Sequence, residues 1–279
     1  MRIAVTGAGG MLAHDLMEAA TNLGHTVLPF DRNALDVSDG QTVEPILRAA
    51  APDVIVHCAA YTNVEEAEGC EELANLVNGI GALHVARAAR TCGALFVYPS
   101  TDYVFDGASH TPYAEHAGPA PLNAYGRSKL LGERAAEEAG RFIVVRTSWL
   151  YGSHGRNFVT TMLERGRKGS ALRVVDDQCG SPTWTVDLSA MILGLISHDA
   201  PSGLYHAANA GSTTWYEFAR AIFEVAGIVT DISAITSSEF PQRATRPKYS
   251  VLDCSRTYTI TGVARHWRDA LTAAIPELA

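Results

Sequence analysis

The sequence has few cysteines and no long hydrophobic run. The five cysteines are scattered, odd in number and never form a C-x-x-C pair, which argues against a disulfide framework and against a zinc site. No stretch of about 18 uninterrupted apolar residues occurs, so we expect no membrane span. The chain begins in a strand-like run without the features of a signal peptide. These absences predict a cytoplasmic protein with reduced thiols.

Basic residues are also scarce. The 279 residues include 22 lysines and arginines against 30 aspartates and glutamates, a net charge of −8. Proteins that bind nucleic acid need a basic surface, so we expect no nucleic-acid partner. A single local site can still be basic on an acidic protein, which leaves an anionic small ligand compatible with this composition.

The N-terminus combines a strand, a glycine turn and a helix. A β-branched apolar run at residues 1–6 predicts a buried parallel strand, and an amphipathic helix follows the motif Gly7-x-x-Gly10-x-x-Ala13. This order is the context that a dinucleotide-binding motif requires. Gly7 permits the tight turn, Gly10 lets the backbone approach a pyrophosphate, and the helix N-terminus faces the anion. The spacing departs from G-x-G-x-x-G, and an ordinary glycine-rich turn is the alternative.

The second predicted strand ends on Asp31 and Arg32. An acid at this position accepts a hydrogen bond from the ribose of NAD, whereas an arginine accommodates the 2′-phosphate of NADP. Because both are present, we expect tolerance of either cofactor. Asp36 and Val37 follow, and two interpretations stay open: contact with adenine, or a turn in which Asp36 caps the helix that begins near Gly40.

Two further predicted strands end in small or hydroxyl side chains. Strand 53–57 leads to Ala59 and Ala60, whose backbone is expected along the nicotinamide ribose. Strand 94–98 leads to Ser100 and Thr101, which either hydrogen-bond a substrate carbonyl or cap the strand end. We interpret His57 as a core side chain. The loop 106–122 is long enough to act as a lid.

A tyrosine and a lysine lie four residues apart in Tyr125-Gly-Arg-Ser-Lys129, within a helix predicted over residues 124–139. Side chains at i and i+4 share one helical face. Tyrosine titrates near ~10 in water, and a lysine one turn away is expected to lower the pKa of the phenol. The pair is therefore a candidate for proton transfer to a carbonyl. The alternative is a chance pair on a solvated helix.

The C-terminal half carries a basic cluster at Arg243, Arg246 and Lys248. It predicts either a docking site for a phosphorylated substrate or a solvated loop. Overall we predict an α/β fold, a Rossmann-like doubly wound parallel sheet with a smaller C-terminal α/β region. Residues 1–150 are assigned to dinucleotide binding and residues 151–279 mainly to substrate binding, with some segments returning to the large sheet.

The glycine motif, Thr101, Tyr125 and Lys129 stand in the order found in one enzyme superfamily. The chain resembles the extended short-chain dehydrogenases/reductases. More narrowly it resembles the dTDP-4-dehydrorhamnose reductases, the last enzymes of dTDP-L-rhamnose biosynthesis. The narrower resemblance is carried by Ser100-Thr-Asp-Tyr-Val-Phe-Asp-Gly107, Tyr125-Gly-Arg-Ser-Lys129, Arg146-Thr-Ser-Trp-Leu-Tyr-Gly152 and Arg246-Pro247. These motifs span nearly the whole chain.

The resemblance implies reduction of the C4 ketone of dTDP-4-dehydro-β-L-rhamnose by NADPH, with NADH also accepted. Tyr125 would be the general acid, Lys129 would hold the nicotinamide ribose and lower the pKa of Tyr125, and Thr101 would bind the carbonyl. The implied cofactor contacts are Gly7, Gly10, Met11, Leu12, Asp31, Arg32, Asp36, Val37, Ala59, Ala60 and Thr62. The implied substrate contacts are Thr101, Asp102, Trp149, Asn157 and Arg246.

The resemblance also bears on metal binding, on the oligomeric state and on alternative functions. Some members are Mg²⁺-linked dimers that use acids near the first helix. Asp15 has a comparable place, but the sequence identifies no partners for it, so we predict no metal site and a monomer or homodimer. The rivals are a reductase of another dTDP-4-keto-6-deoxyhexose, an epimerase using His110 or His116, and a non-catalytic NADP-binding subunit such as that of methionine adenosyltransferase.

Overall fold

A computed structural model describes residues 1–169 and 171–278. Its main body is a six-stranded parallel sheet in the order β2-β1-β3-β4-β5-β10. The strands are β1 (Arg2–Thr6), β2 (Thr26–Phe30), β3 (Val54–His57), β4 (Leu95–Thr101), β5 (Phe142–Thr147), β6 (Leu150–Tyr151), β7 (Leu172–Val175), β8 (Cys179–Gly180), β9 (Thr183–Trp184), β10 (Gly203–His206), β11 (Thr213–Thr214) and β12 (Ile232–Ile235).

Helices cover both faces of this sheet, as the predicted doubly wound fold requires. The α-helices are α1 (Met11–Asn22), α2 (Gly40–Ala50), α3 (Val64–Ala67), α4 (Glu71–Asn75), α5 (Ala82–Cys92), α6 (Ala124–Ala136), α7 (Phe158–Arg167), α8 (Thr185–Ser197), α9 (Trp215–Ala226), α10 (Ser255–Thr261) and α11 (Trp267–Leu278). Short 3₁₀ turns span Asp102–Val104, Glu137–Ala139 and Ser237–Glu239, and a π-helix spans Leu76–Gly81. The prediction of the fold class is confirmed.

Side chains of the central strands point alternately to the two sides of the sheet, and helices cover both sides. These strands are therefore buried on both faces. Ile3 and Val5 belong to one apolar cluster, with α1 and α8. Ala4 belongs to the other, with α2 and α5. This explains why the strands read as continuous apolar runs rather than as an alternating pattern.

A second core lies outside the large sheet. It joins α7, α9 and α11 through an aromatic cluster that includes Tyr151, Trp184, Phe218 and Trp267. The chain does not divide cleanly after residue 150, because β10 pairs with β5 and α8 packs on α1. These segments lie in the large sheet and its helical layer. The assignment of separate cofactor and substrate regions stays a prediction.

From β1 the chain adds β2 on one side of the sheet, and then β3, β4 and β5 on the other side. In such sheets the connections leave β1 and β3 in opposite directions, and a crevice opens at their carboxyl ends, where ligands bind. Residues 7–13 and 58–62 follow these two strands, so the predicted cofactor segments meet at this crevice. Among the described residues no helix is long and apolar enough to cross a membrane.

Candidate active site

The glycine turn after β1 lets its backbone lie close to the backbone of the segment after β3. Gly7 has a φ of 66°, and a Cβ there would lie 2.5 Å from the backbone nitrogen of Ala59. Only glycine combines that left-handed backbone with that contact. The carbonyl of Gly7 accepts the N–H of Gly10, which closes the turn at 2.9 Å.

The N-terminus of α1 is suited to an anion. Gly10 occupies the N-cap without a side-chain hydrogen bond, and the first turn contains no acid. The N–H groups of this turn and the positive end of the helix dipole are therefore directed toward the crevice without a side-chain cap. This is the donor set that a pyrophosphate requires. Met11 and Leu12 lie in the same turn, so the residues present fit the dinucleotide predicted from the sequence.

The segment after β2 is accessible and locally ordered by its own side chains. Asp31 accepts the backbone N–H groups of Asn33 and Ala34 at 2.9 and 2.8 Å. The Arg32 side chain is 87 % exposed and lies 4.0 Å from Asp36. Both side chains sit at the surface beside the crevice. The dual cofactor preference they suggest stays a prediction.

Asp36 does not cap α2. The N-cap is Asp39, whose carboxylate accepts the N–H of Gln41. Asp36 instead accepts hydrogen bonds from the hydroxyl and N–H of Ser38, and these lower the pKa of its carboxyl. The helix-cap interpretation was therefore wrong for Asp36, and contact of Asp36 and Val37 with adenine stays a prediction.

His57 is a core side chain, as predicted. It is 1 % exposed, and its Nδ1 lies 2.7 Å from the hydroxyl of Thr6. Burial first, and then the charge of Lys129, lower its pKa to about 3. A neutral, buried imidazole of this kind is not available as a catalytic base.

Asn78 connects two parts of the site, a role that the sequence did not reveal. It lies in the π-helix, a feature often found at functional sites. Its amide bonds the backbone N–H and carbonyl of Tyr61 at 2.8 and 3.0 Å and donates to the Ser128 hydroxyl at 2.8 Å. It thereby fixes the loop that carries Ala60 and Thr62 against the helix that carries Lys129. The sequence of residues 72–91 has the pattern of one continuous helix, which gives no signal of the π turn.

Helix α6, which carries Tyr125 and Lys129, packs close to β4 and the turn that follows it. Asn123 caps it, accepting the N–H of Gly126 at 2.8 Å. A Cβ at Gly126 would lie 2.2 Å from the carbonyl oxygen of Tyr103, and a Cβ at Gly132 would lie 2.1 Å from the phenol oxygen of Tyr98. Glycines at these positions let the helix approach the strand end.

Tyr125 and Thr101 meet at the carboxyl end of β4. Burial raises the pKa of Tyr125 above its usual range, the carboxylate of Asp102 raises it further, and the nearby hydroxyl of Thr101 partly offsets this. The phenol therefore carries its proton at neutral pH, which is the state a general acid needs.

The ammonium of Lys129 is buried and bound within the protein. It donates to the carbonyl of Pro99 at 2.7 Å and lies 4.1 Å from the centroid of the Tyr98 ring. Burial lowers the pKa of Lys129 to about 7, while the carboxylate of Glu133 acts to raise it. Burial and Asp102 raise the pKa of Tyr125, and the lowering expected from Lys129 stays a prediction.

Asp102 is enclosed rather than open to a sugar. It is 2 % exposed, and its two oxygens accept hydrogen bonds from Thr101 at 3.1 Å and from Ser250 at 2.5 Å. Burial raises the pKa of Asp102 to about 7, and the hydrogen bonds from Ser250 and Thr101 limit that rise. Its predicted sugar contact stays a prediction.

A buried ion pair supports the strand and the helix that carry these groups. The guanidinium of Arg146 on β5 donates two hydrogen bonds to Glu133 on α6, at 2.8 and 2.7 Å. Ser100 adds a third to the same carboxylate at 2.5 Å. Glu133 lies one helical turn after Lys129, so this cluster ties β4, β5 and α6 together directly beneath the site.

The segment 240–251, named the strap, crosses beside Tyr103 and Asp102. Arg246 pairs with Glu65 at 2.6 Å and bonds Gln242 at 2.7 Å. Tyr103 lies within reach of the charge of Arg246, and its ring packs edge-on against Tyr125 at 6.1 Å between centroids.

The predicted basic cluster does not converge on one point. Arg243 and Lys248 are exposed, whereas Arg246 is held by Glu65. Arg246 is therefore neither a solvated side chain nor, in this structure, a free docking group. Its role toward a phosphorylated substrate stays a prediction.

The loop 106–122 is attached to the strap end. Tyr113 donates its N–H to the carbonyl of Val251 at 2.8 Å, and Asn123 donates to the carbonyl of Thr245 at 2.9 Å. His110 and His116, the residues considered for an epimerase, belong to this loop, and both lie at its exposed or half-buried surface. Its proposed action as a lid stays a prediction.

Trp149 adopts a left-handed backbone, with a φ of 48°. Its ring stacks on Trp215 with centroids 3.5 Å apart and planes 4° from parallel. A Cβ at Gly180 would lie 2.5 Å from the same indole. A strained backbone held by such packing is typical of functional positions. Trp215 orients Trp149 through this stacking contact.

Asn157 serves the local structure. It caps α7 by accepting the N–H of Thr160 at 3.1 Å, and its amide donates to the carbonyl of Gly152 at 2.7 Å. The same amide lies 3.6 Å from the sulfur of Met11. It therefore links α7 to the cofactor helix α1, and its predicted substrate contact stays a prediction.

Asp15 is buried in α1, with its Oδ1 3.9 Å from Nε2 of His154. Its Oδ2 has no hydrogen-bond partner among the described residues. Within residues 1–169 and 171–278, no group of three or more His, Cys, Asp and Glu side chains is arranged to hold a metal ion.

Comparison with known proteins places this geometry among sugar-nucleotide reductases. The family model described as "RmlD substrate binding domain" matches residues 1–279. A dTDP-4-keto-6-deoxy-D-glucose reductase of Streptomyces niveus is 43 % identical, with 98 % of this chain and 96 % of that protein covered. A dTDP-4-dehydrorhamnose reductase of Streptomyces griseus is 42 % identical, with 98 % and 93 % covered.

A solved structure agrees with these matches. The dTDP-4-dehydrorhamnose reductase of Bacillus anthracis, in complex with NADP, is 40 % identical and superposes with a TM-score of 0.95 over 99 % of each chain.

Proposed function

The chain belongs to the family described as the RmlD substrate binding domain, and from that premise we propose that it is an NADPH-dependent reductase of a dTDP-4-keto-6-deoxyhexose. The substrate we favour is dTDP-4-dehydro-β-L-rhamnose, reduced at C4 to dTDP-β-L-rhamnose. The observation that carries the proposal is the placement of Tyr125 and Lys129 on α6, next to Thr101 at the carboxyl end of β4 and beside the crevice at the uncapped helix α1.

The side chains divide the work of a carbonyl reduction. When bound, the nicotinamide supplies the hydride. Tyr125, protonated at neutral pH, donates its proton to the C4 oxygen, and Thr101 hydrogen-bonds the same oxygen. Lys129 would hold the ribose of the cofactor. Its diphosphate and nicotinamide half would be lined by Gly7, Gly10, Met11, Leu12, Ala59, Ala60 and Thr62. The protein thus supplies orientation and one proton, which is its usual part in cofactor chemistry.

The sugar is proposed to lie against Trp149, whose indole is fixed by Trp215 and Gly180. Its 4-keto oxygen then points to Thr101 and Tyr125, and its diphosphate extends toward Arg246. Trp149 decides which face of the ring meets the hydride, so it governs the configuration at C4.

The Streptomyces niveus relative supports a second candidate substrate. Its name specifies dTDP-4-keto-6-deoxy-D-glucose, and its identity to this chain is similar to that of the dehydrorhamnose reductase of Streptomyces griseus. The same site chemistry serves either sugar. A non-catalytic NADP-binding subunit is the weaker alternative, because such a subunit has no need for Thr101, Tyr125 and Lys129 together.

We further infer the setting in which the enzyme works. An acidic chain with scattered, free cysteines suits the cytoplasm and a small anionic substrate rather than nucleic acid. A monomer or a homodimer meets the needs of the proposed reaction, since every residue assigned to it comes from one chain.

The test is a panel of dTDP-4-keto sugars with NADPH, in which product configuration is read by NMR. We expect turnover with dTDP-4-dehydro-L-rhamnose. Tyr125→Phe removes the proton donor with little change of shape, so kcat should fall by about 10²-fold or more while cofactor affinity stays unchanged. Tight NADPH binding without turnover of any sugar would favour the non-catalytic subunit, and an unchanged kcat in Tyr125→Phe would remove this tyrosine from proton transfer.

A further inference from the structure

The carboxylate of Glu65 contacts the strap at both of its oxygens. Oε2 accepts the backbone N–H of Arg243 at 2.7 Å, and the N–H of Ala244 lies 3.5 Å from the same atom. Oε1 lies 2.6 Å from Nη2 of Arg246. A single side chain on α3 therefore clamps the strap through its backbone and through the guanidinium toward which the substrate diphosphate is proposed to extend.

Both terminal nitrogens of Arg246 have an acceptor. Nη2 meets Glu65, and Nη1 donates to Oε1 of Gln242 at 2.7 Å. The Arg246 side chain is still 20 % exposed. A guanidinium has more N–H donors than these two contacts use, arranged in a rigid planar fork that matches phosphate oxygens. Arg246 is therefore fixed in place and still able to bind an anion.

Only a carboxylate satisfies both arms of this clamp. The N–H of Arg243 and the guanidinium of Arg246 are both donors, so each needs an acceptor oxygen. Burial acts to raise the pKa of Glu65, but the N–H of Arg243 and the charge of Arg246 outweigh it and hold the pKa below its usual range. Glu65 is therefore ionised at neutral pH. A glutamine offers one oxygen and one NH₂ group, so it must leave one arm unmade.

The clamp lies between two parts of the site. On one side, α3 directly follows the loop 58–62, which Asn78 holds through two hydrogen bonds to its backbone. On the other side, Asn123, the N-cap of α6, donates to the carbonyl of Thr245 in the strap at 2.9 Å. The strap is thus tied both to the cofactor side of the crevice and to the helix of the proposed proton donor, which fixes its guanidinium relative to Tyr125.

We propose that Glu65 is a positioning residue that holds Arg246 in the orientation that receives the diphosphate of the sugar nucleotide. This inference rests on the reductase function above. A flexible arginine must be ordered when a ligand binds, and ordering one such side chain lowers affinity by roughly 2- to 10-fold. The clamp provides that order in the free protein, so Glu65 acts on substrate affinity without touching the reacting carbonyl.

The Michaelis constants of matched variants test the proposal. Glu65→Gln removes one arm of the clamp and should raise the KM for the dTDP-4-keto sugar by about 5- to 10-fold, while kcat and the KM for NADPH change less than about threefold. Glu66→Gln is the control, because Glu66 lies next on α3 and accepts from Asn63 rather than from the strap. An unchanged KM for the sugar in Glu65→Gln, or an equal rise in Glu66→Gln, would overturn the proposal.

Shortened ligands distinguish the positioning of Arg246 from a general disturbance of the pocket. dTDP, dTMP and thymidine differ only in their phosphate groups, and their dissociation constants are measured by titration in the presence of NADP⁺. Glu65→Gln should weaken dTDP by about 5- to 10-fold and thymidine by less than about twofold. An equal loss for all three ligands would show that Glu65 shapes the nucleoside pocket instead, which is incompatible with the proposal.

A double-mutant cycle on dTDP affinity checks the route through Arg246. In the background of Arg246→Met, Glu65→Gln should weaken dTDP by less than about twofold, because the side chain that Glu65 positions is gone. Fully additive losses would contradict the proposal. These titrations need no turnover, so a coupled effect of the two residues on dTDP in a protein that reduces no dTDP-4-keto sugar would contradict the reductase function alone.

Discussion

The buried ion pair of Glu133 and Arg146 offers the sharpest test of what stabilises the site. Their side chains are 6 % and 3 % exposed, and two hydrogen bonds join them at 2.8 and 2.7 Å. Glu133→Gln removes the negative charge and leaves the guanidinium buried without compensation. Nη1 of Arg146 already lacks a hydrogen-bond partner within the described residues, so it has no alternative acceptor.

Breaking one side of such a pair costs about 3–5 kcal/mol of unfolding free energy. For a chain of this length that corresponds to a fall in Tm of roughly 6–10 °C. Urea denaturation and calorimetry measure the two quantities, with agreement of calorimetric and van't Hoff enthalpies as the condition for a two-state reading.

Two controls separate burial from charge. Arg127 and Glu71 form a pair of matching geometry, with two bonds of 2.8 Å, but their side chains are 43 % and 39 % exposed. Glu71→Gln should therefore cost less than about 1 kcal/mol. The double variant Glu133→Leu/Arg146→Met removes both buried charges and should recover most of the stability. A cost for Glu133→Gln no larger than that for Glu71→Gln would refute the reasoning.

Three further predictions concern the same region. Gly132→Ala places a Cβ 2.1 Å from a buried phenol oxygen and should cost about 3 kcal/mol by denaturation, whereas Gly118→Ala, with nothing within 4 Å, should be neutral. The pKa of Lys129 is lowered in the folded state, so the unfolded chain binds more protons than the folded chain between about pH 7 and about pH 10. The free energy of unfolding of the wild type, relative to that of Lys129→Met, should therefore rise with pH across that window. Trp215→Leu removes a stacking contact from Trp149 and should raise the KM for the sugar by about 2- to 10-fold, measured beside an unchanged KM for NADPH.

Local patterns in the sequence predicted the sheet and the crevice. A glycine turn between a strand and a helix is the local pattern of a dinucleotide-binding motif. Gly7 and Gly10 occupy the positions expected for that turn. The buried strands follow from apolar runs of the right length. These features depend on neighbours within a few residues, which is why the sequence was sufficient.

The sequence did not reveal the contacts between distant residues. Asp102 is held by Ser250, which lies 148 positions later and has no pattern of its own. Arg246 pairs with Glu65, which belongs to a distant segment of the chain. Glu133 on α6 meets Arg146 because the fold places β5 beside that helix. No local pattern encodes these pairings.

The pKa of Tyr125 shows how such distant contacts change chemistry. The i and i+4 spacing correctly places Tyr125 and Lys129 on one helix, but a shared face does not fix where a flexible lysine points. Here Pro99 holds the ammonium, and the phenol instead feels its own burial and Asp102. Both raise its pKa, so the proton is present at neutral pH and its delivery, rather than its ionisation, is what the site must control.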